Sequence, residues 1–194
     1  IIPLGRWIIN TAAKACNRWI TSIPDFVMHI NLSFVQIVKS NIVKDVLENI
    51  ERYSAANNHY VFEITETIEM DQIPAVQNVF KEFVKNDFRF AIDDFGTGYS
   101  NYGYMRDRTF DIVKVDRSFV TDIDKLKDNY LMVSFIIKMA HEMGLHVCIE
   151  GVETKEELSC VKKLGADYIQ GYYYGKPVCL QDFEEQHLKR FVLG

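Results

Sequence analysis

Short stretches rich in aromatic and β-branched residues recur along the chain and predict six strands. They cover residues 26–30, 60–64, 88–92, 111–115, 146–149 and 168–169. Segments with the apolar spacing of an amphipathic helix separate most of these stretches. The predicted helices cover residues 4–20, 41–53, 72–86, 126–143 and 154–164, with a last one at 181–191. The link between the third and fourth strands is too short for a long helix.

Alternation of strands and helices is typical of parallel strands joined by right-handed crossovers. An open, doubly wound sheet would be expected to carry a G-x-G-x-x-G turn near its first strand, and the chain has none there. The pattern therefore favours an α/β fold of the TIM-type (β/α) barrel class. The barrel is expected to be incomplete at the N-terminus, because six strands are present where about eight are needed.

No Pro/Gly/Ser-rich linker or low-complexity segment interrupts the alternation, so residues 1–194 are predicted to form a single domain. The chain opens at Ile1 with neither an initiator Met nor a signal pattern, directly before the first predicted helix. We therefore expect it to be a piece of a longer protein.

A polar or acidic residue directly follows each predicted strand, except that in the second strand it lies one residue before the end. These residues are Asn31, Glu63, Asp93 with Asp94, Asp116, Glu150 and Gln170. Because a parallel barrel assembles its site on the carboxyl-terminal rim from several strands, the sequence predicts a site formed by these side chains. Taken singly, each of them is better explained as a cap or a surface salt-bridge partner. Because all of them lie near the carboxyl ends of the predicted strands, a common site is the better explanation for the set.

Asp93 and Asp94 are the strongest candidates, because two adjacent carboxylates end an apolar strand and lead into a glycine-containing turn. Neighbouring side chains of a strand point to opposite faces, so both can serve one site only if the chain leaves the pleat between them. Gly96 and Gly98 permit such a bend. Carboxylates this close repel each other unless a cation lies between them. The alternative is a helix cap or Asx-turn beside a solvated neighbour.

The strand-end residues are all oxygen donors, with no His among them. Ligation by oxygen alone suits Mg²⁺, Mn²⁺ or Ca²⁺ and disfavours zinc or copper. Their five carboxylates carry more charge than one divalent ion needs. We therefore expect two ions, an arrangement suited to displacement at phosphorus.

Lys114 and Glu150 are candidates for the chemistry itself. Lys114 lies two residues before Asp116, so both are expected to face into the barrel near the rim. Its ammonium can polarise a water or neutralise a phosphate oxygen, or it can simply be a structural ion-pair partner. Glu150 can bind a cation or accept a proton from water. Glu153 stands at a predicted helix start, where a carboxylate is favourable without any function.

Composition narrows the function classes. A net charge of -5 without a Lys/Arg run argues against a protein that binds DNA or RNA duplexes. The four cysteines form no C-x-x-C pair, which argues against zinc ligation and a disulfide framework and fits reduced thiols in the cytoplasm. The most apolar stretch, residues 131–140, is far too short for a membrane span.

Six segments of the chain form a recognisable set. They are H-I-N-L-S at 29–33, F-E-I-T-E-T at 62–67, I-D-D-F-G-T-G-Y-S at 92–100, D-I-V-K-V-D-R-S-F-V at 111–120, E-G-V-E-T at 150–154, and I-Q-G-Y at 169–172 followed by Lys176-Pro177. Together they resemble the EAL domain family, a modified TIM barrel that hydrolyses the bacterial second messenger cyclic di-GMP. They follow the family's order across nearly the whole chain. The E-A-L segment, which supplies a metal-binding Glu and a phosphate-binding Arg, would lie upstream of Asn31, and the chain begins after it.

The resemblance implies a set of roles for individual residues. Two Mg²⁺ or Mn²⁺ ions would be held by Asn31, Glu63, Asp93, Asp94, Asp116 and Glu150. Lys114 would assist the attacking water together with Glu150, and Gln170 would help to position it. Glu66 and Glu153 would support a lid loop, and Asp94, Lys114 and Pro177 would contact the substrate. The implied reaction cleaves one phosphodiester of cyclic di-GMP to give linear pGpG.

Two other functions stay open. One is a catalytically inactive cyclic di-GMP receptor or dimerisation module of the same fold, and the other is an unrelated barrel metalloenzyme acting on a different phosphoester. The retained acidic residues favour the enzyme, although weak or no activity is expected of this chain without the E-A-L segment. The resemblance also implies a cytoplasmic protein, or the cytoplasmic part of a membrane-attached one. A homodimer and an additional sensory or GGDEF-type domain in the parent protein are further expectations.

Overall fold

The computed structural model describes residues 1–53, 56–65, 74–97 and 109–188. The strands in these ranges are β1 (Met28–Asn31), β2 (Tyr60–Thr65), β3 (Arg89–Phe95), β4 (Ile112–Val115), β5 (His146–Ile149) and β6 (Tyr168–Ile169). The α-helices are α1 (Ile2–Trp19), α2 (Phe34–Lys39), α3 (Ile42–Glu51), α4 (Pro74–Lys85), α5 (Lys127–Glu142), α6 (Lys155–Leu164) and α7 (Leu180–Phe183). Short 3₁₀ turns cover Asn57–His59 and Arg117–Phe119, and a π-helical turn covers Glu184–Leu188.

The chain divides into two compact units. The first unit consists of residues 1–63, 69–89 and 177–194, and the second of residues 64–68 and 90–176. In the first unit, β1 and β2 pair in parallel, with Asn31 opposite Glu63. Helix α1 packs against α3 and β1, and α4 packs against α2 and α3. The predicted single domain stays a prediction.

Aromatic packing builds much of the core of the first unit. Phe62 of β2 has no exposed surface, and its ring meets those of Phe83 and Phe88 edge-on at centroid distances of 5.0 and 5.5 Å. Such edge-to-face pairs add to the free energy gained by burying apolar area. Tyr60, at the start of β2, is equally buried. This packing surrounds β2, the strand in which Glu63 lies opposite Asn31 of β1.

In the second unit, β3, β4, β5 and β6 pair in parallel in chain order. All four residues of β4 are buried, including Lys114. Burial without alternation is typical of a parallel strand covered on both faces, and α5 packs on β5 and on α6. The carboxyl ends of β3, β4 and β5 therefore meet at one edge of this sheet.

Most predicted elements agree with the structure, and among the described residues one α-helix was missed. Helix α2 follows the H-I-N-L-S segment and is only six residues long, too short to show a helical period. Its signal is a capping box, in which Ser33 and Gln36 satisfy each other's backbone N–H groups. For the last predicted helix, residues 189–191 lie outside the described residues.

All four cysteines, Cys16, Cys148, Cys160 and Cys179, are free thiols. Among the described residues, no helix combines the length and apolar character that a membrane span requires.

Glu157 anchors the start of α6. Its carboxylate accepts hydrogen bonds from the backbone N–H groups of Glu153, Thr154 and Asp122 at 2.9, 3.0 and 3.2 Å. Burial alone would raise the pKa of this carboxyl, but these hydrogen bonds outweigh burial and lower the pKa below its ordinary value. The charged form of Glu157 therefore stabilises the fold.

We predict that Glu157→Gln lowers the free energy of unfolding at neutral pH by about 1–2 kcal/mol, because the hydrogen bonds lose their charged acceptor. Since the folded-state pKa is lowered, this stabilisation is present above pH 4.5 and is lost as the pH falls through the folded-state pKa. Urea denaturation across this pH range measures both effects. Glu156→Gln, an exposed neighbour in the same helical turn, is the matched control. An equal loss at neutral pH and at about pH 3 would contradict the account.

Candidate active site

The two adjacent aspartates at the end of β3 reach one side of the chain through a local break in the strand. Asp94 has a φ of 56°, and the register between β3 and β4 shifts between Ile92 and Phe95. Positive φ is uncommon outside glycine, and Asp is among the residues that tolerate it. The chain thus leaves the pleat between the two carboxylates, as a shared site requires. The bend begins at Asp94 itself and continues at Gly96, where φ is 97°.

Asp93, Asp94 and Glu150 form a cluster of carboxylates. Each offers an oxygen, and the three oxygens lie within 4.8 Å of one another. Asp94 is exposed, while Asp93 and Glu150 are mostly buried. Three converging carboxylate oxygens fit a hard divalent cation such as Mg²⁺ or Mn²⁺ and are a poor match for zinc or copper.

Lys114 lies between two of these carboxylates. Its Nζ is 2.7 Å from Asp93 Oδ1 and 2.8 Å from Glu150 Oε1, and its side chain is only 4% exposed. Burying an ammonium is costly unless it is paired and hydrogen-bonded. Strand β4 lies between β3 and β5, so the lysine receives one carboxylate from each neighbouring strand. These two ion pairs are the structural contacts that Lys114 makes with the carboxylate cluster, and the catalytic role stays a prediction.

A cavity of about 210 Å³ opens beside Glu150. Its lining includes Asp116, Arg117, Glu150, Glu153, Gln170 and Tyr172. Pockets that take a whole small molecule have volumes of about 300–1,000 Å³, so this cavity is smaller than such a pocket. It brings four of the sequence-predicted residues, Asp116, Glu150, Glu153 and Gln170, to one place.

Asp116 serves as a cap at the wall of this cavity. Its Oδ1 accepts a hydrogen bond from the Ser118 backbone N–H at 2.9 Å, at the start of the 3₁₀ turn. Burial alone would raise the pKa of Asp116, but hydrogen bonds from Ser118 and from the Arg117 backbone, with the Arg117 charge, outweigh it and lower the pKa. The Asp116 carboxylate therefore caps the 3₁₀ turn and also lines the cavity.

Gln170 and Glu153 approach the cavity from the loops after β6 and β5. The Gln170 N–H donates to the Ile149 carbonyl at 2.8 Å, and the Gln170 carbonyl accepts from Val152 N–H at 3.2 Å. These bonds place Gln170 beside the turn that carries Glu150. Glu153 lies 3.4 Å from Arg117, but both side chains are largely exposed, so this pair contributes little stability.

Asn31 and Glu63 belong to the first unit. Asn31 is the last residue of β1, and Glu63 lies opposite it within β2, two residues before that strand ends at Thr65. The Glu63 carboxylate is 7% exposed, and its Oε1 is 2.7 Å from Nδ1 of His29. Sequence reasoning missed His29, although its position two residues before Asn31 on one strand was a usable signal. Pro177 is an exposed residue of the first unit, and Glu66 and Gly98 lie outside the described residues.

The chain is similar to a protein family, to curated proteins and to solved structures. A model of the family described as "EAL domain" matches residues 1–177. The probable cyclic di-GMP phosphodiesterase PdeG of Escherichia coli is 30% identical over 94% of this chain and 36% of its own length. The EAL enzyme Bd1971, solved with cAMP and cyclic di-GMP bound, is 34% identical with a TM-score of 0.90, covering 98% of this chain and 52% of that one. Klebsiella pneumoniae BlrP1, solved with manganese and cyclic di-GMP, is 25% identical with a TM-score of 0.77, covering 89% and 45%.

The likeness to Bd1971 confirms the predicted fold class, an incomplete TIM-type α/β barrel with six parallel strands in the described residues. Many of the relatives are much longer than this chain. It spans 29%, 23%, 21% and 24% of the length of four other curated proteins that it matches.

We predict that Lys114→Met destabilises the protein by about 3–5 kcal/mol, because it removes the ammonium that compensates the mostly buried and mutually repelling charges of Asp93 and Glu150. Adding Asp93→Asn should recover part of that loss, so that the effects of the two substitutions are not additive. Urea denaturation of the two single variants and the double variant in metal-free buffer measures this coupling.

Lys125→Met is the control for Lys114→Met. Lys125 also pairs with an aspartate, Asp122, at 2.6 Å, but both side chains are largely exposed. Its loss should cost far less, because water screens an exposed pair. Strict additivity of Lys114→Met and Asp93→Asn would show that the buried pair does not stabilise the second unit.

Proposed function

The chain belongs to the EAL domain family, and on that basis we propose that it is the core of a metal-dependent phosphodiesterase that cleaves cyclic di-GMP to linear pGpG. The observation that carries the proposal is the cluster of Asp93, Asp94 and Glu150 around the buried ammonium of Lys114. The relatives support the substrate. PdeG is named as a probable cyclic di-GMP phosphodiesterase, and Bd1971 has been solved with cyclic di-GMP bound.

We propose that the carboxylate cluster binds divalent cations. When bound, two Mg²⁺ or Mn²⁺ ions would neutralise charge on the phosphate and make a water molecule more acidic. The all-oxygen donor set of the second unit supports this choice, as does the manganese complex of BlrP1. The ligands proposed from the sequence are Asn31, Glu63, Asp93, Asp94, Asp116 and Glu150. The assignments of Asn31 and Glu63, in the first unit, stay predictions.

The chain's own side chains have distinct proposed tasks. Lys114 orients the carboxylates of Asp93 and Glu150 and places a fixed positive charge where negative charge develops on the phosphate. Glu150 lines the cavity and accepts a proton from the attacking water. Gln170, held by its backbone hydrogen bonds at the same cavity, positions that water.

Contacts with the rest of the substrate are proposed from the family pattern. Asp94 and Lys114 contact the substrate at the carboxylate cluster, and Pro177 contacts it elsewhere. Glu66 and Glu153 are proposed to support a lid loop. Glu153 lines the cavity beside Glu150. The parent protein is proposed to be cytoplasmic, or the cytoplasmic part of a membrane-attached protein. It is also proposed to form a homodimer and to carry a sensory or GGDEF-type domain.

One observation favours a second function, a receptor that binds cyclic di-GMP without cleaving it. Lys114 already compensates two of the carboxylates, so the cluster is electrostatically tolerable without cations. A receptor of the same fold would bind the nucleotide and release it unchanged.

We predict that the parent protein converts cyclic di-GMP to pGpG with Mn²⁺ or Mg²⁺, and that Asp93→Asn reduces turnover at least about 100-fold by removing a carboxylate that stabilises the reacting centre. Chromatographic separation of the nucleotides measures the product. Asp128→Asn, an exposed aspartate on α5, is the matched control and should retain full activity. Binding of cyclic di-GMP without any pGpG would replace the enzyme by the receptor.

A further inference from the structure

His29 lies beside a predicted metal ligand in the first unit. It stands two residues before Asn31 on β1, so both side chains lie on the same face of the strand. Asn31 is opposite Glu63 in the parallel register of β1 and β2. The imidazole of His29 reaches across this register to Glu63, with Nδ1 2.7 Å from Oε1.

The contact has one direction when Glu63 is ionised. An ionised carboxylate can only accept hydrogen bonds, so this contact then requires the tautomer in which Nδ1 of His29 donates its N–H to Glu63 Oε1. The terminal torsion of a glutamate is otherwise broad and poorly fixed. One strong donor at one oxygen therefore restricts the rotation of the whole carboxylate.

Burial makes this restraint important. The Glu63 side chain is 7% exposed and that of His29 is 36% exposed, so the carboxylate lies deeper than its donor. A buried carboxylate is costly unless other groups compensate its charge. A hydrogen bond from His29, on the neighbouring strand, offsets part of that cost.

We propose that His29 is a positioning residue that holds the Glu63 carboxylate in the orientation needed to bind a divalent cation; the inference rests on the proposed role of Glu63 as a ligand. Carboxylates that bind metals are commonly oriented by a hydrogen bond from a second residue, and losing that residue weakens metal binding by about 10–100-fold. An oriented ligand loses less conformational freedom when the cation binds.

A purely structural role for His29 makes a different prediction. If the hydrogen bond only stabilised the folded protein, its loss would lower the urea midpoint and leave the metal affinity of the folded chain unchanged. Orientation of Glu63 changes the metal affinity itself. Direct measurement of Mn²⁺ binding in the absence of substrate therefore separates the two roles.

The test is calorimetric titration of Mn²⁺ into the full 194-residue chain and its variants, with urea midpoints measured in metal-free buffer. His29→Leu replaces the imidazole by an apolar side chain of similar bulk and so removes the Nδ1 hydrogen-bond donor. This variant should bind Mn²⁺ about 10–100-fold more weakly. His29→Asn places an amide N–H near the position of Nδ1 and should recover most of that loss. His146→Leu, which alters an exposed histidine of the second unit, is the control and should bind Mn²⁺ normally.

Several results would overturn the proposal, and each one identifies the part of it that is wrong. Unchanged Mn²⁺ affinity in folded His29→Leu, or equally weak binding by His29→Asn, would show that the Nδ1 hydrogen bond does not orient a ligand. Unchanged affinity in Glu63→Gln would show that Glu63 is not a ligand and would remove it from the proposed metal set. No Mn²⁺ binding by the unsubstituted chain would overturn the proposed metal site together with this inference.

Discussion

Lys114 places one positive charge among carboxylates that would otherwise repel one another at the ends of adjacent strands. The ammonium and its partners are largely removed from water, so the attraction is screened little and the loss of any member is costly. Because β4 lies between β3 and β5, the pairing also ties three strands together at the edge where the cavity opens. Stability and site geometry in the second unit therefore depend on the same contacts.

The break in β3 determines which side chains share that environment. A regular strand would direct Asp93 and Asp94 to opposite faces. The positive φ at Asp94 and the register shift after Ile92 instead bring both carboxylates towards Glu150. Asp93 and Asp94, which are adjacent in the sequence, therefore share one site only because Asp94 adopts a positive φ, a backbone conformation that most residues avoid.

Charge compensation at the strand ends is achieved differently in the two units. In the second unit a lysine ammonium lies between two carboxylates, whereas in the first unit the imidazole of His29 donates to the buried Glu63. Each arrangement offsets part of the cost of burying a carboxylate. An ionised, oriented carboxylate is the state that a divalent cation needs in a ligand.

Much of the secondary structure and of the candidate site could be predicted from the sequence, because periodicity and residue type are local properties of the chain. The strand runs, the longer helices, the oxygen-only donor set and the family motifs all follow from the residues as printed, and the six predicted strands have counterparts in the described residues. Helix α2 was missed because six residues do not complete a recognisable period. The bend at Asp94, the two partners of Lys114 and the bond from His29 to Glu63 were decided by the tertiary structure. Each depends on register and contact between strands that are far apart along the chain, and no local pattern encodes a distance between them.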